Sequence, residues 1–140
     1  MAWQLFDFVN VANQNVVKQW LHEIALDSRM RGRLHAKLTS IQNFDDGFKL
    51  PGMVTDTREK HIKELVWGSR TLALRIFLCR GPGDMRTQIT LLGGGREKDR
   101  KYVARAPHIT PEEAEAYRLQ VFADPQNRRT PHEFPEDNLG

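Results

Sequence analysis

Residues 62–102, "IKELVWGSRTLALRIFLCRGPGDMRTQITLLGGGREKDRKY", decide the fold, because their apolar side chains recur with the period of two that a strand requires. Three strand-like runs stand out: Ile62–Trp67, Thr71–Cys79 and Arg86–Leu92. "RGPGD" (80–84) is the turn between the last two. In the middle run Leu72, Leu74, Ile76 and Leu78 share one face, and Ala73, Arg75 and Phe77 share the other. An arginine at the centre of such a strand is costly unless its face is open or an anion meets it. The segment ends in "LLGGGREKDRKY" (91–102), where three glycines run into unbroken charge from Arg96 to Lys101 and then Tyr102. The glycines read as the point where the chain leaves the sheet. The charged stretch after them has three readings: a phosphate-binding loop, a solvated hairpin tip or an RNA-cleaving site.

Upstream, "WQLFDFVNV" (3–11) alternates large apolar residues and reads as a strand. Asn13 or Asn15 then caps a helix with Val16, Val17, Trp20, Leu21 and Ile24 on one stripe. Asp27 or Ser28 caps a second, with Met30, Leu34, Leu38 and Ile41 turned inward, so the two form a helical hairpin. Residues 43–59 have no period and contain Gly47, Pro51 and Gly52, as a loop does. Downstream, "TPEEAEAYRLQVF" (110–122) is a helix with Thr110 as cap, Pro111 in the first turn and Glu113 completing a capping box. The tail from residue 124 is polar and proline-punctuated, which predicts poor order. The expected architecture is a single α+β domain over residues 1–123. An N-terminal strand and a helical hairpin pack on one face of a twisted antiparallel sheet, a C-terminal helix follows, and residues 124–140 form a flexible tail.

The chain has 140 residues, enough for one core, with 39% hydrophobic and 28% charged residues. No apolar run approaches the roughly 18 residues of a membrane span, so a cytoplasmic protein without membrane contact is expected. The single cysteine, Cys79, lies in an apolar run and reads as core. The net charge of +3 is unevenly spread: residues 58–105 carry twelve Lys/Arg against five Asp/Glu, whereas residues 106–140 carry three against seven. A basic middle segment of this kind attracts polyanions.

The five histidines, His22, His35, His61, His108 and His132, show no i, i+4 pair and no cysteine at ligand spacing, so no metal or other cofactor is expected. A nucleotide-binding loop also fails, for want of G-x-x-x-x-G-K-[ST]. What remains is a phosphate-oriented site, in which Arg75 and the group Arg96, Lys98, Arg100, Lys101 and Tyr102 converge on one edge of the sheet. Lys63, His61 and Arg70 are the further phosphate-binding candidates. RNA carries its own nucleophile, the 2′-hydroxyl. Cleaving it takes an acceptor for that proton, cations around the phosphorane and a donor to the 5′-oxygen. Arginine stays protonated and serves as the clamp, whereas lysine or tyrosine can handle protons.

The order of these motifs resembles the RelE/HigB (RelE/ParE) superfamily of type II toxins, in its phage-derived, HigB-like branch. The counterparts are Glu64-Leu65, Leu74-Arg75, Gly81-Pro82-Gly83, Thr90-Leu91-Leu92, Gly94 and Glu97-Lys98, and the likeness spans residues 3–134. Leu74, Val66 and Gly95 depart from the pattern. The resemblance implies a microbial RNase-like fold and a ribosome-dependent mRNA endonuclease that inhibits translation. It also implies a cognate helix-turn-helix antitoxin, and because one protein must block the site stably, that antitoxin is expected to cover the basic edge or displace the C-terminal helix. By resemblance Arg75, Arg96 and Tyr102 are the functional set, with Lys98 beside them and Lys63 as a looser match. The superfamily also holds ParE-type toxins that bind a protein such as gyrase, and an inactive phage-encoded interaction domain is the third reading.

Overall fold

In the computed structural model, which describes residues 2–24, 27–68 and 73–134, each long helix starts where a side chain can cap it. Asn15 Oδ1 accepts from Lys18 N at 3.0 Å and opens α1 (Val16–Glu23). Asp27 Oδ1 accepts from Met30 N at 2.8 Å and opens α2 (Ser28–Asn43). Thr110 Oγ1 accepts from Glu113 N at 3.3 Å and opens α3 (Pro111–Ala123), with Pro111 first. Each cap satisfies an amide that the helix leaves without a partner. The first strand is β1 (Gln4–Phe8), and after α2 come a short 3₁₀ turn (Gly47–Lys49) and β2 (Val54–Asp56). The meander is β3 (Lys63–Gly68), β4 (Ala73–Arg80) and β5 (Gln88–Lys98), and β6 (Lys101–Tyr102) folds back on β5. After α3 come a single turn, α4 (Pro125–Arg128), and β7 (Arg129–Pro131).

The seven strands form one open sheet in the order β2-β3-β4-β5-β1-β7, with β6 pairing β5. It is mostly antiparallel, but β1 runs parallel to β5, with Leu5 opposite Ile89. The protein is therefore α+β, as expected, with one parallel pair that the strand pattern does not announce. Among the described residues no helix is long and apolar enough to cross a membrane.

Helices cover both faces of the sheet, not one. Leu74, Ile76 and Leu78 of β4 pack with Val17 and Trp20 of α1 and Leu34, Leu38 and Ile41 of α2. Phe77 and Cys79, alternating with them, pack with Ala114 and Val121 of α3. The strand period of two thus splits β4 between two cores. Leu72, assigned to the first face from sequence, lies outside the described residues.

The glycines do not end the strand. Gly93, Gly94 and Gly95 sit inside β5, opposite Phe77, Ile76 and Arg75, and are buried. A Cβ on Gly94 would fall on the Trp20 ring, nearer than 3.0 Å to Cδ2, Cε2 and Cε3. The bare backbone is the floor against which Trp20 lies, so β5 extends six residues beyond the expected end at Leu92.

The tail from residue 124 is also built into the fold as far as it is described. β7 pairs with β1, placing Thr130 opposite Asp7, and the His132 N–H donates to Leu5 O at 2.8 Å. Beyond β7, His132 Nδ1 lies 2.7 Å from Asp7 Oδ1, with both side chains 4% exposed. Polar composition suggested poor order, but here the polar groups have buried partners 125 residues away. Residues 135–140 lie outside the described residues.

Candidate functional site

Four adjacent strands place one charged or phenolic side chain each on the α3 side of the sheet. In the register Val66 is opposite Arg75, Arg75 opposite Gly95, and Glu97 opposite both Ala73 and Tyr102. Register partners share a face, as do residues two apart along a strand, so Glu64, Arg75, Glu97 and Tyr102 all point the same way. Gly95 beside Arg75 leaves room on that face. A Cβ there would lie 2.7 Å from Ile109 O and 2.8 Å from the Phe77 ring.

Arg75 is 14% exposed and held by its own chain. Nη2 donates to Glu97 Oε2 at 3.2 Å, Nη1 donates to Leu74 O at 3.0 Å, and Nε lies 3.5 Å from Glu64 Oε1. The anion that a mid-strand arginine requires is therefore internal. Tyr102 Oη donates to Glu64 Oε2 at 2.6 Å. Burial pushes the Glu64 carboxyl above its ordinary range, against the pull of the Tyr102 hydrogen bond and the Arg75 charge. Burial, and then the hydrogen bond to Glu64, push the Tyr102 phenol well above its ordinary value. Tyr102 thus holds its proton at neutral pH and acts as a donor. Arg58 closes the cluster: its guanidinium lies 5.5 Å from the centre of the Tyr102 ring and pairs through Nη2 with Glu112 Oε1 of α3 at 2.6 Å.

The structure brings together only two of the three residues assigned by resemblance. Arg75 and Tyr102 meet through Glu64. Arg96 is opposite Leu74, which is opposite Trp67, so it lies on the α1–α2 face, away from Arg75. There its charge joins burial in lowering the His108 pKa. His108 Nδ1 accepts from Trp20 Nε1 at 3.1 Å, while Arg96 Nε and Trp67 Nε1 are buried with no partner among the described residues. The expected convergence on one edge therefore fails for Arg96, because a strand that continues through the glycines keeps alternating its side chains. Lys98 and Lys101 pair in register and are exposed, and by alternation they lie on the same side as Arg96. Between them Asp99 (φ 52°) and Arg100 (φ 65°) form a two-residue turn, both in the left-handed region that such hairpins require.

Lys63 is turned away too. Its Nζ lies 3.2 Å from Asp56 Oδ1 and 5.3 Å from the Phe48 ring centre, on the first core's side. His61 is exposed. Arg70 lies outside the described residues. Sequence reasoning missed Glu64, Glu97, Arg58 and Glu112 as members of the cluster. The available signal was Glu64, a carboxylate within the apolar run of β3 that demands a buried partner. Among the described residues no three His, Cys, Asp or Glu side chains stand where they could hold a metal ion.

Comparison with protein-family models, with curated proteins and with solved structures returned no match.

Proposed function

We propose that the protein is the toxin of a type II toxin–antitoxin pair and cleaves mRNA on the ribosome by metal-free acid–base chemistry. The observation that carries the reading is the Arg75–Glu64–Tyr102 cluster, in which one carboxylate accepts a hydrogen bond from the Tyr102 donor and lies 3.5 Å from the Nε of the Arg75 clamp as an ion pair. In the proposed step ionised Glu64 takes the proton of the 2′-hydroxyl, the 2′-oxygen bonds to phosphorus, and the P–O5′ bond breaks. Tyr102 gives its proton to the departing 5′-oxygen, leaving a 2′,3′-cyclic phosphate and a 5′-hydroxyl. Arg75 swings from Glu97 to the phosphorane charge. The 2.6 Å bond between Tyr102 and Glu64 then returns the proton and resets the site. Arg100, exposed at the β5–β6 turn, meets a flanking phosphate. A helix-turn-helix antitoxin covers this edge and silences the chain.

A second reading, a toxin that binds a protein in the manner of ParE, is favoured by one observation. Arg96 faces away from Arg75, and Arg75 is already neutralised by Glu64 and Glu97.

Inducing the protein in bacteria without antitoxin, beside Arg75→Lys and Tyr102→Phe, separates the two. Growth arrest with new mRNA 5′ ends in translated frames, both lost in Tyr102→Phe, supports cleavage. Arrest that survives Tyr102→Phe without new ends supports the protein-binding reading. Absence of arrest sinks both.

A further inference from the structure

The 16 residues of α2 include Arg29, Arg31, Arg33 and Lys37 and no Asp or Glu. Leu34, Leu38 and Ile41 hold this helix on the sheet, on the opposite face from the Arg75 cluster. With 3.6 residues to the turn, the side turned away from those three has Gly32, Ala36 and Asn43 along its crest, and all three are exposed. Arg29, Arg33 and Lys37 follow one flank at i, i+4 and i+8, about 6 Å apart along the axis. Arg31 stands on the other flank. The three arginines are exposed and Lys37 is half-buried. Among the described residues none of the four forms an ion pair.

This arrangement works against the helix that carries it. Arg29 and Arg31 lie near the N-terminus, the positive end of the helix dipole, where acids stabilise and cations do not. The first turn holds no acid, and the Asp27 carboxylate before it is engaged with Met30 N. Arg29–Arg33 and Arg33–Lys37 are like-charge pairs at i, i+4, which repel. An anion lying along the helix turns each of these costs into an attraction. Arg29 to Lys37 spans about 12 Å, more than one phosphate or carboxylate bridges, so the charge complement is a polyanion. Duplex DNA carries one negative charge per about 1.7 Å of its axis, and its major groove admits an α-helix. The crest suits that entry: a Cβ at Gly32 would meet nothing within 4 Å, and Ala36 extends no further than its Cβ. The major groove of A-form RNA is deep and too narrow for such an element.

We propose that α2 binds duplex DNA, with the Gly32–Ala36 crest turned into the major groove, Arg29, Arg33 and Lys37 on the phosphates of one wall and Arg31 on the other. This surface is separate from the Arg75 cluster, and the proposal does not depend on the toxin reading.

The test titrates the full-length protein into a short fluorescein-labelled DNA duplex and reads anisotropy at several salt concentrations. Four phosphate contacts give a slope of log K against log salt of about −3.6, a loss of about 150-fold between about 50 and 200 mM. Arg29→Gln/Arg33→Gln should flatten the slope by about 1.8. Arg86→Gln/Arg105→Gln removes the same charge from exposed positions elsewhere and should leave the slope as it is. Gly32→Glu places a carboxylate on the crest, where the added Cβ enters open space and helix propensity improves; it should abolish binding while the chain stays folded. An RNA duplex of the same sequence and a poly-glutamate peptide should both bind more weakly than DNA. The proposal is overturned by absence of binding at about 50 mM salt, by equal slopes in the two double variants, by undiminished binding in Gly32→Glu, or by RNA or poly-glutamate held as tightly as DNA. Should an α2 variant not fold, the slope and the DNA-to-RNA comparison on the unaltered chain decide.

Discussion

Replacing Gly94 by alanine puts one methyl group where the Trp20 ring now lies. The added Cβ cannot be absorbed by the end of a flexible side chain, because it meets the middle of a fused ring that is 2% exposed. Either β5 or Trp20 has to move. Overpacking of this kind costs about 1–3 kcal/mol. A displaced Trp20 also gives up its 3.1 Å hydrogen bond to His108, worth about 1 kcal/mol net. The expected loss is therefore about 2–4 kcal/mol, a large share of the roughly 5–15 kcal/mol that holds a domain together. In urea, with a slope of about 2 kcal/mol per molar, the unfolding midpoint should fall by about 1–2 M at unchanged slope. Gly32→Ala is the control, because its Cβ enters open space and should raise stability by about 0.5–1 kcal/mol. A Gly94→Ala midpoint within about 0.5 M of the parent would refute the reasoning and put Trp20 elsewhere.

The same packing sets three further outcomes. Cys79 is buried and its thiol is pushed up to about 12, chiefly by burial, so thiol reagents at pH 8 should modify it only at the rate of global unfolding; fast labelling of the native chain contradicts the two-sided core. Burial raises Glu64 above its ordinary 4.5, so the folded chain keeps a proton that the unfolded chain releases. Its contribution is complete below about pH 4.5 and is lost as pH rises through the raised value. Urea midpoints should accordingly shift in favour of Glu64→Gln, relative to the parent, as pH increases, and the opposite trend would mean that Arg75 keeps Glu64 ionised. His132→Ala strips Asp7 of its buried partner and should cost about 3 kcal/mol in the same assay, whereas exposed His61→Ala should change stability by under about 0.5 kcal/mol.

The elements that local chemistry specifies were legible in the sequence. Asn15, Asp27 and Thr110 announce their helices because a cap is satisfied within three residues. The alternation in "LALRIFLC" announces β4 because the pleat enforces it. What stayed hidden depends on contacts distant along the chain. Three glycines read as a chain break, and only Trp20, more than seventy residues earlier, makes them the interior of a strand. Extending that strand sends Arg96 to the far face, so the candidate site inherited the error. Arg75 was found because it lies on a strand whose face could be counted, and Tyr102 was assigned by resemblance. Glu64 was missed as their link because its part depends on the β3–β4 register, which no local signal fixes.

β1 has one neighbour from the middle of the chain and one from near its end, β5 and β7. β1 therefore has no strand partner until residue 88 is available, and its second edge stays open until residues 129–131 emerge. At roughly 5–20 residues per second, "QLFDF" waits on the order of ten seconds with its amides and carbonyls unpaired. Such a sheet matures from the middle outward and closes at its oldest strand. Newly made chains are consequently most open to capture, by a chaperone or by a partner already waiting, in the interval before residues 129–131 emerge.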